Sequence, residues 1–250
     1  MPHLKSLAGL GMVAKYVSNW YCILALYANI IPKTTARFKD GRGVSVYKNN
    51  HIVFYEEIYK RHLQNHGFVF ETKGKEESVR TPEGLVIILR PPYSFVLDEI
   101  FLMKVYGQPQ LKERVVIDIG TSLGDSALYF ASLGASNVYC FEADKDLYRM
   151  AQENISLNNM TGKIHIYNQK ATGELLRILI LQYRLKNVFL KVDCEGCEYE
   201  VIKNMGHSTF ESIGDIVMEY HMQPEPLIGH LTRLGFRIRR KRKILFASKC

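Results

Sequence analysis

Short apolar runs alternate with stretches of helical spacing through the C-terminal half of the chain. Predicted strands cover residues 114–120, 138–142, 164–168, 188–193 and 215–220, and one or two more lie within 236–248. Predicted helices cover residues 122–133, 143–158, 173–185, 198–205 and 226–234. Because parallel strands need such crossover helices, this alternation predicts an α/β fold whose doubly wound, mostly parallel sheet has helices on both faces.

The pattern before residue 111 is less regular. Helical spacing over residues 4–31, ended by Pro32, predicts one or two helices. A turn at residues 40–43 precedes short strands or mixed elements at 44–48, 53–59, 68–71 and 85–89, although 51–65 fits a helix equally well. A loop and a helix at 94–107 lead into the core. We predict an N-terminal α+β extension of residues 1–110, serving as a lid, substrate or dimer element, and a core domain of residues 111–250.

Composition is that of an ordinary globular protein, with 47% hydrophobic and 23% charged residues among 250. The five cysteines are dispersed and odd in number, which predicts no disulfide framework and a reducing cytoplasm. Only Cys194 and Cys197 have metal or redox spacing, and without a second pair we expect no such role. No signal peptide is expected, and the apolar run at 20–31 is shorter than the roughly 20 residues of a membrane span.

The net charge of +8 admits an anionic partner without requiring one. The strongest basic cluster comprises Arg237, Arg239, Arg240, Lys241, Arg242 and Lys243. We favour an edge strand or hairpin protected by charge. The alternative is a patch that contacts the phosphates of RNA or of another polyanion.

The stretch from 114 to 142 carries the candidate chemistry. Gly120 and Gly124 remove side chains where backbone must approach a ligand, and a helix starting near Ser122 would point free N–H groups at it. Glu142 closes the next strand, where a carboxylate can accept hydrogen bonds from both hydroxyls of a ribose. A nucleoside ligand is predicted, and the G-x-x-x-G spacing argues against a nicotinamide dehydrogenase.

Several segments resemble a known family. VIDIGTSLGDSALYFASLGA, FEAD, ENISLN, LKVDCEGCEYEVIKN and IVMEYH are similar to class I S-adenosylmethionine-dependent methyltransferases of the FkbM type. The D-x-E-G-x-E segment is the most specific, and the matches lie within residues 114–221. The resemblance implies a Rossmann-like, seven-stranded sheet, methyl transfer, and S-adenosylmethionine as the cofactor.

The resemblance also implies residue roles. Asp118 and the turn 120–124 would surround the methionine end of the cofactor, Glu142 would bind its ribose, and Asn168 and Gln169 would lie near adenine. Asp193 would face the methyl group and the acceptor. The remaining implied cofactor contacts are Thr121, Ser122, Asp125, Ala143 and Tyr106, although for Tyr106 we favour simple packing at the sheet edge.

A hydroxyl acceptor must lose a proton, and acidic or imidazole side chains can assist. The candidates are Asp193, Glu195, Glu219 and His221, of which only His221 has an ordinary pKa near neutrality. A structural role for this histidine is the alternative. Glu198 and Glu200 are expected to be solvated or paired with Lys203. We predict no metal, although such a cluster has the ligand types for one.

The predicted function is O-methylation of a sugar-like or other small-molecule hydroxyl. The alternative is an RNA methyltransferase that uses the basic C-terminal segment, since the N-I-x-L-N ending at 154–158 also occurs in some tRNA methyltransferases. Those enzymes usually carry an Asn- or Asp-Pro-Pro motif where this chain has residues 193–196, which favours a hydroxyl acceptor. A cofactor-binding protein without catalysis and a homodimer both stay open.

Overall fold

The structure, a computed structural model, describes residues 7–47, 51–74, 76–90 and 93–249. It divides into two compact units, the first formed by Met1–Gly84 and Leu89–Leu102 and the second by Leu85–Ile88 and Met103–Cys250. The division at residue 110, and the role of the N-terminal extension as lid, substrate or dimer element, stay predictions. Within the described ranges no helix is long and apolar enough to cross a bilayer.

The described part of the first unit contains four helices and two antiparallel strand pairs. Its elements are α1 (Leu7–Tyr16), α2 (Trp20–Tyr27), β1 (Lys33–Arg37), β2 (Gly43–Tyr47), α3 (His51–Gln64), β3 (Val69–Lys73), β4 (Glu76–Arg80) and α4 (Ser94–Leu97), which is continued by one π turn (Asp98–Leu102). Strand β5 (Val86–Leu89) follows β4 in the chain and lies mostly in the second unit. Strands β1 and β2 pair antiparallel around the predicted turn, as do β3 and β4.

The two N-terminal helices are confirmed, whereas the strand predicted at 53–59 is wrong. The alternative helix is correct, because α3 buries Phe54, Tyr55, Ile58 and Tyr59 at helical spacing. Strands β1 and β4 were not predicted, since each has only one buried side chain among its five residues. The helix predicted at 94–107 ends at Leu102. The predicted helical stretch 4–31 and the predicted strand 44–48 extend beyond the described residues, the first at residues 4–6 and the second at residue 48.

The second unit contains the predicted sheet. Its further elements are β6 (Val115–Ile119), α5 (Asp125–Ser132), β7 (Asn137–Glu142), α6 (Lys145–Leu157), β8 (Ile164–Asn168), α7 (Gly173–Gln182), β9 (Val188–Val192), α8 (Glu198–Asn204), α9 (His207–Glu211), β10 (Ile213–Glu219), α10 (Glu225–Arg233), β11 (Phe236–Lys241) and β12 (Ile244–Lys249). The strand order is β11-β12-β10-β9-β6-β7-β8. Strand β12 alone runs opposite to the other six strands of this sheet. The doubly wound, mostly parallel prediction is confirmed, and α9 is the one core helix that it missed.

The central strands are buried on both faces, as parallel strands covered by helices require. The chain runs from β6 outward through β7 to β8 and then returns to β9 on the other side of β6. The strand order therefore reverses between β6 and β9. Ligands of open α/β sheets bind in the crevice at this point, beyond the carboxyl ends of the strands.

Two asparagines, Asn154 on α6 and Asn158 at its C-terminal cap, bind the backbone of β5. Asn154 is fully buried, and its side chain accepts from Ile88 N at 2.7 Å and donates to Leu123 O at 2.9 Å. Asn158 accepts from Val86 N at 2.9 Å and donates to Val86 O at 2.6 Å. These bonds satisfy backbone groups that would otherwise be buried without partners. The N-I-x-L-N ending, which suggested RNA methylation, therefore has a structural explanation.

Glycine at position 120 is required by packing. Its φ is +75°, and an added Cβ would lie 1.7 Å from the carbonyl oxygen of Asp193. Gly124, at φ +85°, would bring a Cβ within 3.2 Å of Ala151 on α6. The sequence analysis attributed both glycines to the approach of a ligand. The structure instead shows the β6 loop pressed against the β9 loop and against α6.

We expect Gly120→Ala to destabilise the protein by at least about 2–4 kcal/mol, because a backbone clash and a strained left-handed φ add together. Urea unfolding followed by circular dichroism measures this loss. Gly162→Ala is the matched control, since nothing lies within 4 Å of its added Cβ and its φ is not in the left-handed region. Equal stability of the two variants would contradict the packing argument.

Candidate active site at the carboxyl edge of the sheet

The loop after β6 curls toward the end of β7. Gly120 N and Thr121 N both donate to Phe141 O, at 2.9 and 3.3 Å. Ser122 adopts a left-handed φ of +52°, which lets its N–H donate to Glu142 Oε2 at 2.9 Å. Helix α5 consequently begins at Asp125, after the Gly124 cap, and not near Ser122 as predicted.

Glu142 is the last residue of β7 and contacts the loop after β6. Its Oε1 accepts from Asp144 N at 2.9 Å, so each carboxylate oxygen binds one backbone N–H and retains a further lone pair. Burial raises the pKa of Glu142. The Asn168 side chain donates to Glu142 O and Ala143 O at 3.0 and 3.2 Å, and Gln169 N donates to Glu142 O at 3.1 Å. The structure thus brings the residues predicted for ribose and adenine together at the ends of β7 and β8.

A buried ion pair lies beneath the loop. Asp118 is fully buried, with Oδ1 3.0 Å from Lys191 Nζ and with Oδ2 accepting from Ser126 Oγ at 2.6 Å. Lys191, 1% exposed, also donates to Gly120 O at 2.6 Å. Burial alone lowers the pKa of Lys191, but the Asp118 and Asp193 carboxylates raise it overall. Asp118 therefore holds Lys191 in place, and the lysine within an apolar run was a signal that the sequence analysis overlooked.

Two more predicted cofactor residues are buried. Thr121 is fully buried, and Asp125 is 2% exposed. Neither Thr121 Oγ1 nor Asp125 Oδ1 has a hydrogen-bond partner among the described residues. Burial raises the pKa of Asp125 from 3.8 to about 7. Asp125 therefore changes its charge near neutral pH.

Tyr106 positions Asp193. Its hydroxyl donates to Asp193 Oδ2 at 2.5 Å, and Lys191 Nζ lies 5.2 Å from the centroid of its ring. Tyr106 is only 7% exposed, and burial raises its pKa well above the ordinary value. Packing at the sheet edge, the role favoured for Tyr106 from the sequence, therefore describes only part of what this residue does. The phenol is the donor that orients the acidic side chain at the end of β9.

Three candidate catalytic residues converge at the ends of β9 and β10. Asp193, Glu219 and His221 each place one side-chain N or O atom within 4.8 Å of the others. His221 Nδ1 lies 2.9 Å from Glu198 Oε1, which also accepts from Gly196 N at 3.0 Å. The Glu198 side chain is only 4% exposed. The prediction that Glu198 is solvated is wrong, because the first turn of α8 directs it inward beside its apolar residues.

Glu195 has a more peripheral position. Its side chain is 86% exposed, and its Oε2 lies 3.2 Å from His221 Nε2. Burial alone lowers the pKa of His221, but Glu198 and the neighbouring carboxylates raise it overall. Burial, followed by the Asp193 charge, raises the pKa of Glu219. Negative charge is therefore concentrated at this point of the edge.

Cys194 and Cys197 form a disulfide, with their Cα atoms 5.5 Å apart. The sequence predicted no disulfide framework and no metal or redox role for this pair, so the bond was not foreseen. The turn between β9 and α8 brings the two side chains together, which their spacing alone did not establish. The bond closes the turn that carries Glu195 and Gly196.

A basic turn lies at the same edge. It comprises Arg240 to Lys243, the last two residues of β11 and the two that join it to β12, and all four are exposed. Because β11 runs in the same direction as β10, the turn lies beside the end of β10. Tyr220 N donates to Lys243 O at 3.1 Å, and Tyr220 Oη donates to Arg242 O at 2.9 Å. The edge strand expected from the sequence thus ends in cations next to the acidic cluster.

Counting β6 to β12 as the first to seventh strands, the order across the sheet is 3-2-1-4-5-7-6 with the seventh reversed. This sheet and its crevice at the switch point define a class I, Rossmann-like methyltransferase fold, as the resemblance implied.

A family model described as ribosomal protein L11 methyltransferase (PrmA) matches residues 100–181. The L11 methyltransferase of Streptococcus uberis is 40% identical over 69 residues, covering 28% of this chain and 20% of that protein. That of Streptococcus equi subsp. zooepidemicus is 32% identical over 106 residues, covering 40% and 32%. The chain therefore spans only a fifth to a third of the length of these relatives. The match confirms S-adenosylmethionine-dependent methyltransferases as the class of this region, and their cofactor with it. It ends before LKVDCEGCEYEVIKN and IVMEYH, the last two of the five segments that resemble FkbM enzymes.

Solved structures include two similar chains. Ribosomal protein L11 methylase from Lactobacillus delbrueckii subsp. bulgaricus aligns with a TM-score of 0.42 at 17% identity, over 59% of this chain and 76% of that one. TrmK of M. capricolum with S-adenosyl-homocysteine aligns with a TM-score of 0.44 at 13% identity, over 60% and 67%. Because these TM-scores are low, the assignment of the fold depends on the strand order and not on the alignments.

Titration of Asp125 should make stability depend on pH. The folded-state pKa of Asp125 lies above its unfolded value. Below about pH 4 the carboxyl group is therefore protonated in both states and costs no stability, whereas the wild type loses stability as the pH rises from there to about 7. We expect Asp125→Asn to gain about 2–3 kcal/mol relative to wild type between about pH 5 and about pH 8. Urea unfolding at the two pH values measures the difference. Asp146→Asn, an exposed acid on α6, should show none, and parallel behaviour of both variants would refute the assignment.

Proposed function

We propose that the protein transfers the methyl group of S-adenosylmethionine to a hydroxyl group of RNA. The observation that carries this proposal is the position of the basic turn, Arg240 to Lys243, beside the acidic cluster of Asp193, Glu219 and His221 at the switch-point crevice. The cofactor, the transfer chemistry and the acceptor are supported by different residues.

The crevice fits the cofactor in hydrogen bonding and in charge. Glu142 retains a lone pair on each oxygen for the two ribose hydroxyls. S-adenosylmethionine carries a net positive charge, and because Lys191 balances Asp118, the carboxylates of Glu142 and Asp193 leave the crevice acidic. The half-buried Asp193 is the carboxylate we assign to the sulfonium side.

Methyl transfer demands little covalent help from the protein. The carbon–sulfur bond breaks with its electron pair left on sulfur, the acceptor oxygen forms the new bond to carbon, and the hydroxyl proton passes to a cluster carboxylate or to water. Orientation of donor and acceptor can supply about 7–11 kcal/mol of the acceleration. Tyr106 and Glu198 contribute by fixing the side chains of Asp193 and His221.

The basic turn supports a polyanionic acceptor. Its four exposed cations would contact phosphates and place a neighbouring sugar at the acidic cluster. A hydroxyl acceptor is favoured by residues 193–196, which replace the Asn- or Asp-Pro-Pro motif expected for a base nitrogen. The names of the L11 methyltransferase relatives also indicate a macromolecular acceptor. They give no support to the small-molecule hydroxyl predicted from the sequence.

FkbM-type O-methylation of a sugar-like small molecule is the second candidate. The D-x-E-G-x-E segment favours it, because that segment supplies both Asp193 and the buried Glu198 behind His221. A small acceptor would need no basic turn. Transfer of labelled methyl groups to a panel of RNAs, proteins and sugars separates the two candidates.

We expect Glu142→Ala to abolish S-adenosylmethionine binding measured by calorimetry, because the ribose loses both acceptors and the backbone N–H groups of the loop lose their partner. Glu153→Ala is the control, since Glu153 is an exposed acid on α6. Unchanged affinity in Glu142→Ala would remove the ribose assignment.

Reversal of charge in the basic turn should weaken RNA binding. For the double variant Arg242→Glu with Lys243→Glu, we expect at least about tenfold weaker binding at moderate salt and a shallower salt dependence. Filter binding of labelled RNA across a salt series measures both. The control is Lys112→Glu with Lys186→Glu, two exposed lysines that precede β6 and β9 at the opposite edge. Similar losses in both pairs, or methyl transfer only to sugars or proteins, would refute the RNA acceptor.

A further inference from the structure

Asp193, Glu219 and His221 have the arrangement of metal ligands. Their ligand atoms all lie within 4.8 Å of one another. They extend from the ends of β9 and β10, which are adjacent and parallel, so the sheet itself sets their spacing. A cation between them would bind two carboxylate oxygens and one imidazole nitrogen.

The histidine is oriented as metal-bound histidines are. Its Nδ1 faces Glu198 Oε1 at 2.9 Å, and the Glu198 side chain is 4% exposed. A buried carboxylate in this position would hold the proton on Nδ1 and direct Nε2 toward a metal. The present neighbour of Nε2 is the exposed Glu195 Oε2 at 3.2 Å, which a bound cation would replace. This outer carboxylate is an observation independent of the three ligands.

Asp193 is supported in the same way. The Tyr106 hydroxyl, itself buried, donates to Asp193 Oδ2 at 2.5 Å and leaves Oδ1 for another partner. Hydrogen bonds of this kind from outer groups hold coordinating carboxylates in protein metal sites. Two of the three side chains are therefore fixed from behind, and the third, Glu219, is about 70% buried.

The surrounding charge favours a cation. Asp193 and Glu219 are close enough to repel, and the Glu195 carboxylate approaches the same histidine at 3.2 Å. The nearby ammonium of Lys191 is engaged by Asp118 and by the carbonyl of Gly120. A divalent ion would relieve the repulsion between the two carboxylates.

We propose that Asp193, Glu219 and His221 bind one divalent transition-metal ion, for which Mn²⁺ matches the mixed oxygen and nitrogen donors. Three protein ligands leave coordination positions open for water or for an acceptor hydroxyl, whose pKa a bound cation would lower. No metal was predicted from the sequence, because the family pattern does not require one. The outer partners of His221 and Asp193 were not foreseen. The catalytic role rests on the proposed methyl transfer, whereas the binding site does not.

Titration of the metal-stripped full chain with Mn²⁺, followed by electron paramagnetic resonance, tests the site. We expect one bound ion, lost in His221→Ala, and about 10–100-fold weaker binding in Glu198→Gln. Glu200→Gln, on the exposed face of the same helix, is the matched control and should bind as the wild type does. Circular dichroism shows whether each variant is folded.

Absence of a bound Mn²⁺ in the folded wild type, or equal binding by the His221→Ala variant, would overturn the proposal. Full methyl transfer in excess chelator would overturn the catalytic role alone. Calorimetric titration of the same samples with S-adenosylmethionine distinguishes the metal site from the proposed function. If the folded wild type binds Mn²⁺ but not S-adenosylmethionine, the methyltransferase assignment is wrong and the metal site is still supported.

Discussion

The buried contact between Lys191 and the loop after β6 is the interaction on which the site depends. A lysine that is 1% exposed is stable only when its charge is paired and its protons are bonded. Asp118 supplies the charge at 3.0 Å, and the carbonyl of Gly120 accepts at 2.6 Å. Removal of either carboxylate or ammonium would leave a buried charge without its counterpart. The pair therefore joins the two strands between which the crevice opens.

This contact also sets the positions of the catalytic candidates. With β6 and β9 joined, the carbonyl of Asp193 presses against Gly120, and the Asp193 side chain meets the hydroxyl of Tyr106. Parallel pairing of β9 with β10 then places Glu219 and His221 beside it. The acidic cluster is consequently a product of the sheet register. The ion pair between β6 and β9 and the acidic residue after β9 therefore belong to one arrangement within the second unit.

The sequence predicted what depends on local pattern and missed what depends on distant partners. Alternating apolar runs gave the core strands to within one or two residues at most ends, and the glycines, Glu142 and Asp193 were placed at the correct edge. The roles of Lys191, Glu198 and Asn154 were not foreseen, since each polar side chain is explained by a group far away along the chain. The helix α3 was ambiguous because its apolar residues satisfy both helical and strand spacing over a short window.

The distinction between local and distant partners also applies to the residues proposed to bind the cofactor and those proposed to bind the acceptor. The groups proposed to bind the nucleoside lie within one βαβ unit and the strand after it, inside the region matched by the L11 methyltransferase family. The groups proposed to meet the acceptor come from the ends of β9 and β10 and from the turn between β11 and β12, all beyond residue 181. A shared cofactor preserves a local motif, whereas an acceptor is recognised by loops that differ in length and charge. The adjacent acidic cluster and basic turn are therefore the features on which the proposed RNA hydroxyl acceptor depends.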